Sequence, residues 1–317
     1  MGNLWQRSNA RNETDTGTAE NRLREGGANK GLILIGKEAG IALLTINRPN
    51  SLNALNEEVL KELDTAIDEV ISDPSIRAAV ITGARRRAFC AGVDTQIVTS
   101  FAVNKIMEFV ELGNGILKKI EHSDKPFVAA INGFAAGGGN QLALACHGRV
   151  ASDNACFGQP ELRVGIIPFL GGTQRLPRLI GTGAAKTLII TGDIIPAQLA
   201  EGIGLVDQVV RSGKLLREAV DRAHSLSSSG LQDIKRLKFA SRVEHELSWA
   251  YDPNYEAGRA PLALREVLSL VDKSTEMDLD SGLRYESEAA RRCFSSKDFR
   301  EGITASMERR EPHFVGE

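Results

Sequence analysis

Two short apolar runs flank Lys37-Glu38-Ala39-Gly40 in GLILIGKEAGIALLTINRP and predict a β-hairpin, with Gly40 free to take a positive φ at the turn. Beyond it, Val59, Leu60, Leu63, Ile67, Val70 and Ile71 recur at helical spacing behind Asn56, a favourable N-cap, and the pattern stops near Asp73-Pro74. AAVIT at 78–82 then reads as a short buried strand. A second unit runs through an amphipathic stretch at 102–120 and the apolar strand FVAAIN at 127–132 to a glycine-rich turn that feeds a helix near Gly138. RVAS at 149–152, a helix start at Gly172-Thr173, a helix at 183–190 and a strand LVDQVV at 205–210 continue the alternation. This order predicts an α/β fold; no fixed solenoid period is visible, and a structural coil of ββα turns stays open.

After position 214 the pattern turns helical, with amphipathic stretches at 214–226, 261–272, 279–292 and 298–309. Three regions follow: a mobile polar tail at 1–29, an α/β core at 30–226, and a helical C-terminal segment at 227–317. The last includes an excursion at about 227–260 with Trp249, Tyr251, Pro253 and Tyr255, whose aromatics read as packing or as the wall of a binding site. The tail lacks the apolar residues needed to offset ordering entropy, and its Glu13, Asp15, Glu20 and Glu25 argue against a targeting presequence.

Composition narrows the function classes. Lys and Arg total 39 against 41 acidic residues, so no one-signed field suggests nucleic acid. Cys90, Cys146, Cys156 and Cys293 are irregularly spaced without a CxxC pair, which argues against disulfides or a metal site and for a reducing, cytoplasmic setting. The apolar runs are too short to span a bilayer, so no membrane partner is expected.

The candidate chemistry lies in three segments that follow β-type runs: AFCAGVD at 88–94, NGFAAGGG at 132–139 and FGQPE at 157–161. Glycine lets backbone N–H groups approach a ligand, and a helix starting near Gly138 would aim its unpaired amides at it. Together with GGTQRLPRLIG, in this order and spacing, these motifs resemble the crotonase superfamily, the enoyl-CoA hydratase/isomerase family, over roughly residues 30–225. The resemblance implies a spiral of repeated ββα units with a C-terminal helical segment, and an acyl-CoA thioester substrate with no added cofactor and no metal. It implies that Val93 and Gly138 supply two amides to a thioester enolate, with Ala91, Asp94, Thr95, Gln96 and Gly137 lining the substrate. It also implies a homotrimer or a dimer of trimers; Leu262, Leu264, Val267, Leu268 and Leu270 are a candidate surplus of apolar surface for subunit contacts.

Within that resemblance Glu161 is the proton-transferring acid and base, and burial beside Phe157 and Leu162 would raise its pKa toward neutrality. Two positions depart from the family pattern. Gln141 stands where hydratases carry a second glutamate, and an amide cannot take and return a proton. Phe169 stands where glycine is common, either filling space near the reacting carbons or simply packing. Double-bond isomerisation needs one carboxylate, whereas hydration would use Gln141 to orient water. Alternatives are hydrolysis of a cyclic or branched acyl-CoA, or acyl-CoA binding without turnover. Cys90 and His147 read as structural, and Arg85-Arg86-Arg87 as a solvated turn adjacent to the CoA-binding segment.

Overall fold

The computed structural model describes residues 31–229 and 253–317. The tail expected at 1–29 and most of the excursion expected at 227–260, with Trp249 and Tyr251, lie outside the described residues. The hairpin forms as the pattern predicts: β1 (Ile33–Glu38) pairs antiparallel with β2 (Ile41–Ile46), and Ala39 and Gly40 turn the chain at φ 50° and 81°. Helix α1 (Glu57–Ser72) starts where the Asn56 side chain accepts from Val59 N, 2.9 Å. It buries Val59, Leu60, Leu63, Ala66, Ile67 and Val70. Each large side chain on that face contributes about 1.5–3 kcal/mol. Ile71, one step off this face, is 38% exposed, which removes it from the core that its spacing suggested.

The chain then alternates between two sheets. Strands β3 (Ala78–Gly83), β5 (Phe127–Ile131) and β7 (Gly148–Ser152) join β1, β2 and β10 (Gln208–Val210) in a six-stranded sheet of order β1-β2-β3-β5-β7-β10, parallel from β2 onward. Each of the three is followed by a strand of a second sheet: β4 (Ala88–Cys90), β6 (Phe134–Ala136) and β8 (Cys156–Gly158), closed by β9 (Ile195–Pro196). Three successive ββ turns thus wind as a spiral, the coil that the strand order left open.

Both faces of the large sheet are covered, which explains its continuous apolar runs. On β3, Ala79 and Ile81 enter the main core, while Ala78 and Val80 face helix α8 (Leu215–Ser229), which covers them with Leu215, Leu216, Ala219, Ala223 and Leu226. The strand expected at 205–210 is shorter than its apolar run. Leu205 and Val206 are buried in a turn whose amides bond Ala200 O, so pairing begins only at Gln208.

Helices α2 (Thr95–Thr99), α3 (Val103–His122), α4 (Gly138–Ala145), α5 (Gly172–Ile180), α6 (Thr182–Thr191) and α7 (Ala197–Gly202) fill the connections. Three more, α9 (Pro261–Lys273), α10 (Leu279–Phe294) and α11 (Lys297–Glu308), end the chain. They pack back onto the spiral: α9 on α5 and α6, α10 on α3 and α5, and α11 on the 3₁₀ turn at Pro160–Val164. Leu264, Val267 and Leu270 are buried inside the protomer by this packing, and Leu262 and Leu268 are half-buried against the same core. The surplus of apolar surface read from the sequence is therefore largely covered within one chain, and the resemblance alone carries the expectation of an oligomer. Among the described residues no helix is long and apolar enough to cross a membrane.

Candidate active site

The three glycine-containing segments meet where the spiral's small sheet ends. Leu55 forms a parallel bridge with Val93: Leu55 N donates to Gly92 O and Asp94 N to Leu55 O, both 2.8 Å. That pattern uses the groups on either side of Val93 and turns the Val93 N–H away from Leu55. Opposite it, Gly138 is the first residue of α4, so its N–H has no partner within the helix. The two amides are neighbours: a Cβ placed on Gly138 would lie 3.5 Å from Val93 N and 3.0 Å from Val93 Cγ2. Gly139 is obligatory there, because a Cβ would come within 2.1 Å of Cys90 O.

Around this pair, Ala91 N donates to Leu52 O and so fixes the segment leading to Val93. Asp94 caps α2 by accepting from Gln96 N, 3.1 Å, and pairs with Arg48 at 3.0 Å, while Thr95 and Gln96 are exposed on that helix. Asp94 thus shapes the segment rather than facing its open side. Gly137 takes φ 50° and donates to Gly158 O, 3.0 Å; a Cβ on it would lie 3.1 Å from Glu161 Oε1. The Glu161 carboxyl therefore sits one residue away from the Gly138 amide, with only glycine backbone between.

Glu161 is 7% exposed, in the 3₁₀ turn at Pro160–Val164. Burial pushes its pKa up to about 8; its own backbone amide and Gln141 oppose the rise, and the charge of Glu286 adds to it. Gln141 is bonded at both ends. Its Oε1 accepts from Leu170 N and its Nε2 donates to Glu161 Oε1, each 2.6 Å. The Leu170 N–H can only donate, so it fixes which way the amide points. In one orientation of Gln159, its Oε1 accepts from Gln141 Nε2, 3.0 Å. In the other, its NH₂ lies 3.1 and 3.2 Å from the Glu161 oxygens and its oxygen accepts from Asn140 Nδ2, 3.2 Å. Gln159 can thus accept from a protonated Glu161 or donate to an ionised one.

Phe169 is 4% exposed and packs edge-on against Phe294, 5.2 Å between centroids, in a row that continues through Phe299 to Phe101. Of its two sequence readings, packing is the one this contact supports. Leu170 beside it approaches the amide pair: a Cβ on Gly138 would be 3.3 Å from Leu170 Cδ1. His147 is structural: its Nδ1 accepts from Phe127 N at the end of a strand, 3.1 Å. Burial pushes the Cys90 thiol up to about 12, which makes it inert, and Arg85, Arg86 and Arg87 are exposed. The described residues contain no cluster suited to a metal ion.

Sequence reasoning passed over Glu286, Gln159, Leu170 and Thr173. Glu286 carried a signal: it falls on the apolar stripe Leu283, Ala290, Cys293, Phe294 of α10, where a charge is out of place. It is fully buried and accepts from Gly171 N (2.6 Å), Thr173 N (2.9 Å) and Thr173 Oγ1 (2.5 Å). Burial raises it to about 7, against these three bonds and the nearby Arg175.

Comparison with known proteins finds relatives that match most of the chain. The short-chain-enoyl-CoA hydratase of Clostridium acetobutylicum is 38% identical over 278 residues, 88% of this chain and 95% of that protein. The crotonyl-CoA hydratase of Syntrophomonas wolfei is 38% identical over 283 residues, 89% and 97% of the two chains. The crystal structure of an enoyl-CoA hydratase from Bacillus anthracis superposes with a TM-score of 0.60 at 32% identity, covering 90% of this chain and all of the other. The model of the enoyl-CoA hydratase/isomerase family matches residues 36–255, and the chain belongs to that family, a crotonase-type enzyme.

Proposed function

We propose that the chain stabilises the enolate of a CoA thioester between the Val93 and Gly138 amides and moves protons on it with a single carboxylate, Glu161. Charge that develops on the thioester oxygen meets two fixed N–H donors, which need no reorganisation in the transition state. Glu161, beside Gly137, has the position and the raised pKa for general acid–base work near neutrality.

The observation that carries the choice of reaction is the Gln141 amide. With its oxygen on Leu170 N and its nitrogen on Glu161, it orients the carboxylate and has no basic atom left to activate water. One carboxylate suffices for a double-bond shift. Ionised Glu161 removes the α proton of a 3-enoyl-CoA, the electron pair moves onto the thioester oxygen, and the same proton returns at the γ carbon to give the 2-enoyl-CoA. Nothing is added or lost. Hydration is the second reading, favoured by the relatives named as hydratases. There Glu161 would start protonated and deliver its proton to the α carbon while water adds at the β carbon and gives its own proton back to the Glu161 carboxylate.

The two readings differ in pH dependence. For isomerisation kcat/KM rises with pH through about 8, as Glu161 ionises; for proton delivery it falls through the same range. The test follows but-3-enoyl-CoA and but-2-enoyl-CoA in deuterated water by mass spectrometry across that range. Isomerisation predicts conjugation with little added mass from water, and Gln141→Glu should raise hydration of but-2-enoyl-CoA by about tenfold by supplying the second carboxylate. Wild-type hydration that outruns isomerisation and is unchanged in Gln141→Ala would sink the isomerase reading.

A further inference from the structure

We infer that Glu286, on a helix distant in sequence, is a positioning residue for Glu161, acting through the 168–173 loop and Gln141; this rests on the reading of Glu161 as the acid and base. The connection is continuous. Glu286 Oε1 accepts from Gly171 N and its Oε2 from the amide and hydroxyl of Thr173. These bonds hold the turn into α5, where Gly171 stands at φ 83°. The residue before Gly171 is Leu170, whose N–H enters the Gln141 oxygen, and the Gln141 nitrogen meets Glu161. A shift of the loop therefore turns the amide that aims the carboxylate.

Other supports of the loop leave this N–H free to serve the relay. Asn114 Nδ2 donates to Phe169 O at 3.3 Å and Arg175 Nη1 to Leu170 O at 3.1 Å, so both hold carbonyls. Glu286 takes the two loop amides, Gly171 N and Thr173 N, that follow Leu170. The relay also lacks slack: a Cβ on Gly172 would lie 2.6 Å from Pro168 Cβ and 3.0 Å from Gln141 Cδ, so loop and amide are in contact as well as bonded. Misplacing a catalytic group by about 1 Å can cost a hundredfold in rate, so a small loop movement is sufficient to register.

The test is a double-mutant cycle on the full chain, with isomerisation of but-3-enoyl-CoA as the assay and circular dichroism and thermal melting as controls. Glu286→Gln keeps the volume but turns an NH₂ toward the Gly171 or the Thr173 amide, neither of which can accept. It should lower kcat about tenfold with KM within about twofold, and should have no further effect in a Gln141→Ala background, where the relay is already cut. Thr173→Val removes one donor and should show a smaller version of the same pattern, which keeps the test open if Glu286→Gln fails to fold. Wild-type kcat in the folded Glu286 variant, or a loss that multiplies with that of Gln141→Ala, overturns the inference. Glu161→Gln is run alongside: an inactive Glu161→Gln beside a normal Glu286→Gln rejects the relay alone, whereas an active Glu161→Gln rejects the reading of Glu161 and the relay with it.

Discussion

The spiral and the C-terminal helices each bury one glutamate among the described residues, and the contrast between the two teaches what burial does and does not imply. Glu161 and Glu286 are both raised by desolvation, to about 8 and about 7. Yet Glu286 has both oxygens engaged, by two amides and a hydroxyl, at the N-terminus of α5, where a negative charge is favoured. Glu161 takes one side-chain donor, Gln141, on Oε1, and that same oxygen faces the bare backbone of Gly137. A carboxylate saturated by donors acts as a cap. One with an open side can exchange a proton with a ligand. A raised pKa marks both groups, and the neighbouring donors decide between the roles.

The largest effect that separates the pair is on turnover. Glu161→Gln should lower kcat by about three orders of magnitude while acyl-CoA affinity stays within about threefold, because the carboxylate acts on the proton and the amides hold the thioester. Isothermal titration with a saturated acyl-CoA and steady-state kinetics measure the two sides of that statement. A variant with wild-type kcat would erase the distinction drawn here. Next comes stability. Glu286→Ala strands three buried donors and should cost about 3 kcal/mol in urea unfolding, whereas Glu161→Ala leaves Gln141 Nε2 with Gln159 Oε1 as an acceptor and should cost about 1 kcal/mol. Equal costs would show that Glu161 is as much a structural group as Glu286.

Much of the spiral was legible because its strands read as continuous apolar runs, as in FVAAIN at 127–132, and its helices repeat their apolar residues at a period of 3.6, as on α1. The second sheet was not, since β4, β6 and β8 are three residues each and too short to show a period. In the site, Glu161, Gln141 and the glycines were found through their motifs. What the motifs do not contain is the direction in which Gln141 points. That is set by Leu170 N, 29 residues away, a bond that only the folded loop creates. Glu286 stands out as a charge on an apolar stripe, but its partners at 171 and 173 lie more than a hundred residues upstream, and nothing local signals them. The aromatic contact of Phe169 with Phe294 is equally non-local, so the sequence left its two readings balanced.

The last comparison is a pH dependence of stability, and its sign follows from the raised pKa of Glu161. The folded value of about 8 lies above the ordinary carboxylate value of 4.5, so the folded chain holds a proton that the unfolded chain releases. The stabilisation linked to that proton is complete below 4.5 and is lost as pH rises through 8. Glutamine does not titrate, so Glu161→Gln escapes the loss. Subtracting wild type from variant removes the contributions of groups common to both, the exposed ion pairs included. The variant should therefore gain on wild type by about 1 kcal/mol per pH unit between pH 5.5 and 8, and the difference should level off above that. Chemical unfolding of both proteins at four or five pH values measures it. A difference that stays flat would mean that Glu161 is ionised in the folded protein at pH 5.5, and the acid–base role would then lose the raised pKa that suits it to neutral pH.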